Sequence, residues 1–320
     1  MFIGVDIGGS NMAAGLFDKD RKLITTAKVK SKAKEETDVI IDQLFKVIDK
    51  LRESIPSDKK LFAIGIGVAG LVDTKTSTMR NSVNINIDGV NFKTLIKEKY
   101  GVLAKVDNDV NVGVIGEWKY GAGIGHDDII GAFVGTGIGG GLILNGKLYT
   151  GNSGLAGELG HTTVKQGGIY CKGCGTQGCL EAYAGKVGLE SRIEHLAKKD
   201  IRSILIDLVM ENNGKLKSSH IKKALSENDE VAMDIFSEAM EYLGAGLASA
   251  VNMLNPSLVI LGGGVMEAVG EQYLAKIKRV VQGSTFPGSF HDCDFKLAKL
   301  GDEAGIYGAM QIVASEFNEA

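Results

Sequence analysis

Proline is scarce, at 3 of 320 residues, and neither charge dominates, with 36 Lys and Arg against 39 Asp and Glu. So little proline excludes a proline-rich, low-complexity chain. A net charge of -3 leaves no basic stripe, so nucleic acid is not an expected partner. Anionic substrates stay open, because backbone N–H groups and a metal can hold a phosphate without lysines. The opening MFIGVDIGG has neither a basic leader nor a long apolar run. One stretch, Tyr242 to Met266, is uncharged and long enough to span a bilayer. Asn255-Pro256 and three following glycines break it, so it reads as helix, turn and buried strand. No membrane partner is expected, and the chain reads as cytoplasmic. A Walker loop, G-x-x-x-x-G-K-[ST], is also missing.

Glycine, by contrast, is abundant: 44 residues, roughly twice the ordinary share of about 7%. Such glycines serve turns and close backbone approaches. The length suggests about two domains. Strand-like and helical patterns alternate, which predicts an α/β protein. Strands are expected at Met1–Val5, Ala13–Asp18, Lys22–Lys30, Leu61–Val68 and Leu103–Val106. A helix is expected over Glu36–Ile55, with Val39, Leu44, Val47, Ile48 and Leu51 as its apolar stripe, and another over Val110–Tyr120. The plan then restarts. Ile129–Val134, a glycine-rich turn and Gly141–Leu144 repeat the opening hairpin about 130 residues on, as two related halves would. Helices are predicted near Leu180–Lys198, Ile201–Glu211 and Val231–Asn252, then a buried strand at Leu258–Leu261 and a final helix near Glu303–Phe317 that could pack on the first half. The polar stretch Lys198–Glu230 reads as helical surface.

Several clusters carry chemistry. Val5-Asp6-Ile7-Gly8-Gly9-Ser10-Asn11 places a carboxylate at a strand end before a turn whose backbone could approach a phosphate, with Asp6 able to hold Mg²⁺ or its water. The alternative is an ordinary hairpin turn. Gly135-Thr136-Gly137 opens a second such turn, and a strand follows it, so the helix that a dinucleotide fingerprint needs is missing. Val106-Asp107-Asn108-Asp109 lies where a strand gives way to a helix, and Asp109 there either caps the helix or serves a ligand. His161, Cys171, Cys174 and Cys179 supply a His/Cys₃ donor set suited to structural tetrahedral Zn²⁺, the alternative being free thiols in a loop.

Taken in order, DIGGSN, VDNDVN, GTGIGGG, GELGH, the cysteine loop running into GCLEAYAG, and ILGGGV resemble the ROK family of bacterial sugar kinases and repressors, from residue 3 to about 310. One departure is Cys171-Lys172-Gly173-Cys174, a residue longer than the family's usual Cys-x-Cys. The resemblance implies an actin-like (RNase H-like) ATPase fold of two α/β lobes with a cleft between them. The expected lobes are 1–118 plus about 305–320, and 119–304. It implies ATP and Mg²⁺ as cofactors, with phosphates on Gly8, Gly9, Ser10 and Asn11 and on Gly135, Thr136 and Gly137, and the adenosine near Gly263 and Gly264. Asp109 matches the catalytic base. Asn108, Glu158, His161 and Glu181 match positions that hold sugar hydroxyls, as does Asn84. His161 would ligate zinc and face the sugar. A homodimer or homotetramer is also implied.

Glucose, yielding glucose 6-phosphate, is the expected substrate. Ionised Glu158 and Glu181 only accept, while a zinc-bound His161 keeps one donor nitrogen, a set that fits adjacent free hydroxyls. N-acetylmannosamine is the runner-up, with Asn84 and the Gly70-Leu71 turn as the wall that would decide, and N-acetylglucosamine, mannose and fructose kinases share the motifs. The family's repressors carry a helix-turn-helix ahead of the DxGG strand. With Asp6 at the sixth residue, an enzyme is expected.

Overall fold

The computed structural model describes residues 1–82, 84–199 and 201–317. The chain divides into two compact units: Met1–Gly125, Leu148–Ala156 and the chain from Asp302 on form the first, and His126–Lys147 with Gly157–Gly301 the second.

In the first unit, β1 (Phe2–Ile7), β2 (Asn11–Phe17) and β3 (Leu23–Lys30) form an antiparallel meander. After α1 (Thr37–Arg52), β4 (Ala63–Val68) pairs parallel to β1. A two-stranded ribbon, β5 (Leu71–Asp73) and β6 (Thr78–Asn81), and α2 (Phe92–Tyr100) lead to β7 (Leu103–Asn108), which pairs parallel to β4. The sheet order is β3-β2-β1-β4-β7. The next element, α3, covers Asp109–Tyr120.

The second unit repeats this order. β8 (Ile129–Val134) and β9 (Ile138–Leu144) form an antiparallel hairpin extended by β10 (Lys147–Leu148). The helices α4 (Leu180–Ala184), α5 (Lys186–Ala197), α6 (Ile204–Glu211), α7 (Ser218–Ser226) and α8 (Glu230–Leu254) follow. Then come β11 (Leu258–Gly262), α9 (Gly263–Ser284) and β12 (Asp294–Leu297), giving β10-β9-β8-β11-β12 with β11 parallel to both neighbours. The duplication legible in the two glycine-rich hairpins therefore extends to the whole sheet. The last helix, α10 (Ala304–Ala314), returns to the first unit and packs on β1, β4 and α3.

Close approach explains why that packing needs glycine. A Cβ at Gly65 would lie 1.6 Å from the Ala309 carbonyl oxygen, and one at Gly308 1.6 Å from that of Val112. Backbone meets backbone there with no room for a side chain.

Three expectations shift, and the reading of 242–266 as helix, turn and strand holds. The buried stripe of α1 is Ile40, Leu44, Val47, Ile48 and Leu51, with Ile40 in place of Val39, because a 3.6-residue period from Leu44 runs through 40. The helix predicted over 180–198 breaks at Gly185, whose extended backbone separates α4 from α5. The stretch 198–230 is more than surface. Leu205, Ile206, Val209, Leu216, Ile221 and Ala224 are buried in the second unit's core. Asp229 ties it down, accepting from Ser203 Oγ, from the Leu205 N–H and from the Ala232 N–H that starts α8. Over 242–266, α8 ends at Asn255 in a left-handed turn before β11, and no described helix is long and apolar enough to cross a membrane.

Candidate functional site

The singled-out residues fall into two groups, one in each unit; Asp6, Asn108, Asp109, Gly135 and Gly263 lie at the carboxyl ends of parallel strands, the others in loops or on α4. Asp6 stands near the end of β1, half-buried. Its carboxylate lies against the start of α10, where Gly305 leaves room: a Cβ there would sit 2.7 Å from Asp6 Oδ2. Burial, then the charges of Asp109 and Asp302, push the Asp6 carboxyl up to about 7. The turn that follows is open, since Gly9 and Ser10 are exposed and a Cβ at Gly9 would meet nothing within 4 Å. Gly8 N–H donates to the Asn11 carbonyl at 3.1 Å, and Ser31 Oγ donates to the Gly8 carbonyl at 2.5 Å. Ser31, buried and far along the chain, holds this turn, and no motif pointed to it.

Two strands away, β7 delivers Asp107, Asn108 and Asp109. Asp107 is buried, its Oδ1 accepting from the Asn108 N–H at 2.7 Å and from Asn111 Nδ2 at 2.8 Å. Asn108, not Asp109, is the helix cap: its Oδ1 accepts from the N–H groups of Val110 and Asn111, and its Nδ2 donates to the Gly70 carbonyl at 3.1 Å. That leaves Asn108 one N–H for a ligand. Asp109 is the first residue of α3, half-buried, where the helix dipole favours its anion. Asn84 is exposed, in a loop tied down by Ser82 Oγ, which donates to the Ala69 carbonyl.

In the second unit the β8–β9 turn closes through Gly135 N–H to the Gly137 carbonyl at 2.8 Å, with Thr136 exposed at its tip. Glu181, on α4, braces it. Glu181 Oε2 accepts the Ile138 N–H at 2.9 Å, and a Cβ at Gly137 would fall 2.1 Å from that oxygen. The other oxygen lies 3.5 Å from Cys171 Sγ. Glu181 thus links the turn to the cysteine loop, and a sugar hydroxyl would meet only its remaining lone pairs. Glu158 is exposed, 4.0 Å from His161 Nε2. Gly263 and Gly264 open α9, as the glycine run suggested.

The ligand atoms of His161, Cys171, Cys174 and Cys179 all lie within 4.8 Å of one another. Zinc–sulfur bonds of about 2.3 Å at tetrahedral angles place sulfurs about 3.8 Å apart. Cys174 and Cys179 Sγ are 3.5 Å apart, and His161 Nδ1 is 3.9 Å from Cys171 Sγ. The donor set therefore fits zinc in type, number and spacing, with His161 Nε2 facing away toward Glu158. The additional residue between Cys171 and Cys174 is absorbed in a turn closed by Gly175 N–H to the Cys171 carbonyl. Thr176 Oγ1 lies 3.0 Å from both Cys174 and Cys179 Sγ, a second-layer contact that the spacing did not reveal. That hydrogen bond is the main reason the Cys174 thiol is lowered to about 7, whereas burial raises Cys171 to about 12.

The sequence profile of the ROK family matches residues 2–316. The chain is 33% identical over 313 residues to a glucokinase of Streptomyces coelicolor, across 97% of this chain and 96% of that one. It is 31% identical over 315 residues to a xylose repressor of Caldicellulosiruptor bescii, across 98% of this chain and 78% of that protein. The crystal structure of a ROK family glucokinase from Streptomyces griseus in complex with glucose and AMPPNP matches with a TM-score of 0.79 at 33% identity, over 97% of this chain and 98% of that one. These likenesses show the two-lobed actin-like ATPase fold.

Proposed function

The chain belongs to the ROK family, and we propose that it is an ATP-dependent hexose kinase with Asp109 as general base and glucose as its preferred substrate. The observation that carries this reading is the division of labour at the end of β7. Asp107 is buried and accepts from Asn108 and Asn111, Asn108 caps the helix, and Asp109 is its first residue, half-buried and close enough to Asp6 to raise that carboxyl's pKa. Phosphoryl transfer asks a protein for positioning, charge stabilisation and one acceptor for the hydroxyl proton. In the proposed step the sugar hydroxyl gives its proton to Asp109, its oxygen bonds the γ-phosphorus, and the bond from that phosphorus to the bridging oxygen breaks, releasing ADP.

The turns Gly8–Asn11 and Gly135–Gly137 would bind the phosphates through backbone N–H groups. Mg²⁺, held by Asp6 directly or through water, would neutralise phosphate charge. Zinc on His161 and the three cysteines would fix the loop that carries His161 and adjoins Glu181, a structural role. Glu158, His161, Glu181, Asn108 and Asn84 would hold sugar hydroxyls, and a homodimer or homotetramer is the proposed assembly.

The test is ADP release with Mg-ATP over glucose, N-acetylmannosamine, N-acetylglucosamine, mannose and fructose. Highest kcat/KM for glucose supports the reading in full. A clear preference for an acetylated hexose moves the substrate and leaves the kinase. The xylose repressor likeness supports a second reading, a sugar-responsive regulator. Tight sugar binding without ADP release from any sugar would favour it.

A further inference from the structure

Beside the β8–β9 turn, the starts of three helices of the second unit meet around one side chain. Lys186 is the first residue of α5, placed by the break at Gly185. Its N–H and that of Val187 donate to the Gly135 and Thr136 carbonyls, each at 3.1 Å. Its side chain reaches the start of α9, where a Cβ at Gly264 would lie 3.0 Å from Lys186 Nζ and 2.8 Å from Ser218 Oγ. Ser218 is the first residue of α7, and Nζ donates to its Oγ at 3.4 Å.

The charge is poorly compensated. Lys186 is half-buried, and burial lowers its pKa despite the opposing fields of Glu267 and Glu190. Glu190 is already occupied, 3.1 Å from Lys215 Nζ and accepting the Leu216 N–H at 2.9 Å, and Glu267 is exposed on α9. Lys186 makes no ion pair among the described residues. An ammonium withdrawn from water and set among helix N-termini, whose dipoles disfavour a cation, calls for an anion. Helices of 12, 9 and 22 residues start around this ammonium, and helix starts are suited to phosphate.

We infer that Lys186, backed by Ser218, is a nucleotide-binding residue that contacts the phosphates nearest the nucleoside of the bound triphosphate. The inference rests on the kinase reading and adds to it. The glycine turn supplies amides at one end of the phosphate chain, and Lys186 supplies a side-chain cation beside that turn. It is a binding residue, outside the proton transfer proposed for Asp109, so it acts on nucleotide affinity and leaves the sugar untouched.

The experiment titrates Mg-AMPPNP, ADP and adenosine into the full-length, sugar-free protein, wild type against Lys186→Met and Lys186→Arg, with ligand-free melting temperatures as the folding control. A charge-assisted hydrogen bond to phosphate predicts about tenfold or greater weakening of AMPPNP and ADP by Lys186→Met. Adenosine binding should change less than about twofold, and Lys186→Arg should recover most of the loss. In turnover, the KM for ATP should rise while that for the sugar holds. Wild-type AMPPNP affinity in Lys186→Met, or an equal loss for adenosine, overturns the inference and spares the kinase. Should Lys186→Met melt early, Ser218→Ala, which loosens the ammonium without removing it, must show a smaller loss of the same pattern, and full ADP affinity in both variants rejects the site. A wild type that binds no AMPPNP would refute the kinase reading and this inference with it.

Discussion

Asp107 and Asp109 sit two residues apart on the same strand-to-helix junction, in different surroundings. Asp107 is buried and twice hydrogen-bonded through one oxygen. Asp109 begins the helix, and its charge helps to raise the carboxyl pKa of Asp6, two strands away. We expect Asp109→Asn to lower kcat by about 10²–10⁴-fold, the range for a general base, with sugar affinity nearly unchanged because the amide keeps the shape. Steady-state rates with calorimetric sugar binding check both halves, and near-normal turnover would shift the base elsewhere. Asp6 carries a pH signature. Its folded pKa of about 7 lies above the unfolded 3.8, so the folded chain binds that proton more tightly. Its contribution is complete below the unfolded value and is lost as pH rises toward about 7, for at most about 4 kcal/mol. In metal-free buffer, Asp6→Asn should flatten the decline between those pH values, and Asp109→Asn should shift its upper end downward. Urea midpoints across pH 4–7 with the same slope in all three proteins would contradict the assignment.

Helix α10 is the element on which the first unit's site leans. It backs β1 and β4, which carry Asp6 and Gly65, and it touches α3, which begins with Asp109. Its small face, Gly305 and Gly308, permits that contact. Gly308→Ala would drive a methyl group into the Val112 carbonyl, and neither backbone can yield cheaply. Overpacking of this kind costs about 3 kcal/mol, and kcat should fall with it because α3 begins with Asp109, the proposed base. A denaturant midpoint within error of wild type would mean that the helix slides freely.

At the scale of the whole molecule, each unit owns a core. Residues of the second unit's cluster, from Ile130 to Phe295, are wholly distinct from those of the first, from Met1 to Val106. The His/Cys₃ cluster belongs to the second unit alone. Structural zinc contributes directly to folding, so one zinc per chain is expected in freshly purified protein. Cys174→Ala, or stripping with a strong chelator, should lower the melting of the second unit and leave the first near its original temperature. Calorimetry should then resolve two transitions where the intact protein shows one broad one. Metal analysis finding no zinc, or a variant that melts as wild type does, would count against the site.

The sequence by itself determined what local chemistry can encode. Glycine-rich turns after apolar strands located both hairpins, the repeat between them forecast two related halves, and donor spacing pointed to the His/Cys₃ set. Periodicity located α1 and α8 to within a few residues, because an amphipathic helix writes its buried face into every third and fourth position. Tertiary structure decided the rest. Whether Asn108 or Asp109 caps α3 depends on φ and ψ at one residue, to which an Asp-Asn-Asp run is indifferent. The core within 198–230 is diluted by lysines and glutamates that only packing assigns to the outside. Ser31 beneath Gly8, Gly305 beside Asp6, Glu181 against Ile138, and Lys186 across Gly264 join residues 23 to 299 positions apart. No period or motif links such pairs, since the chain's folding brings them together and only the folded backbone sets their distance.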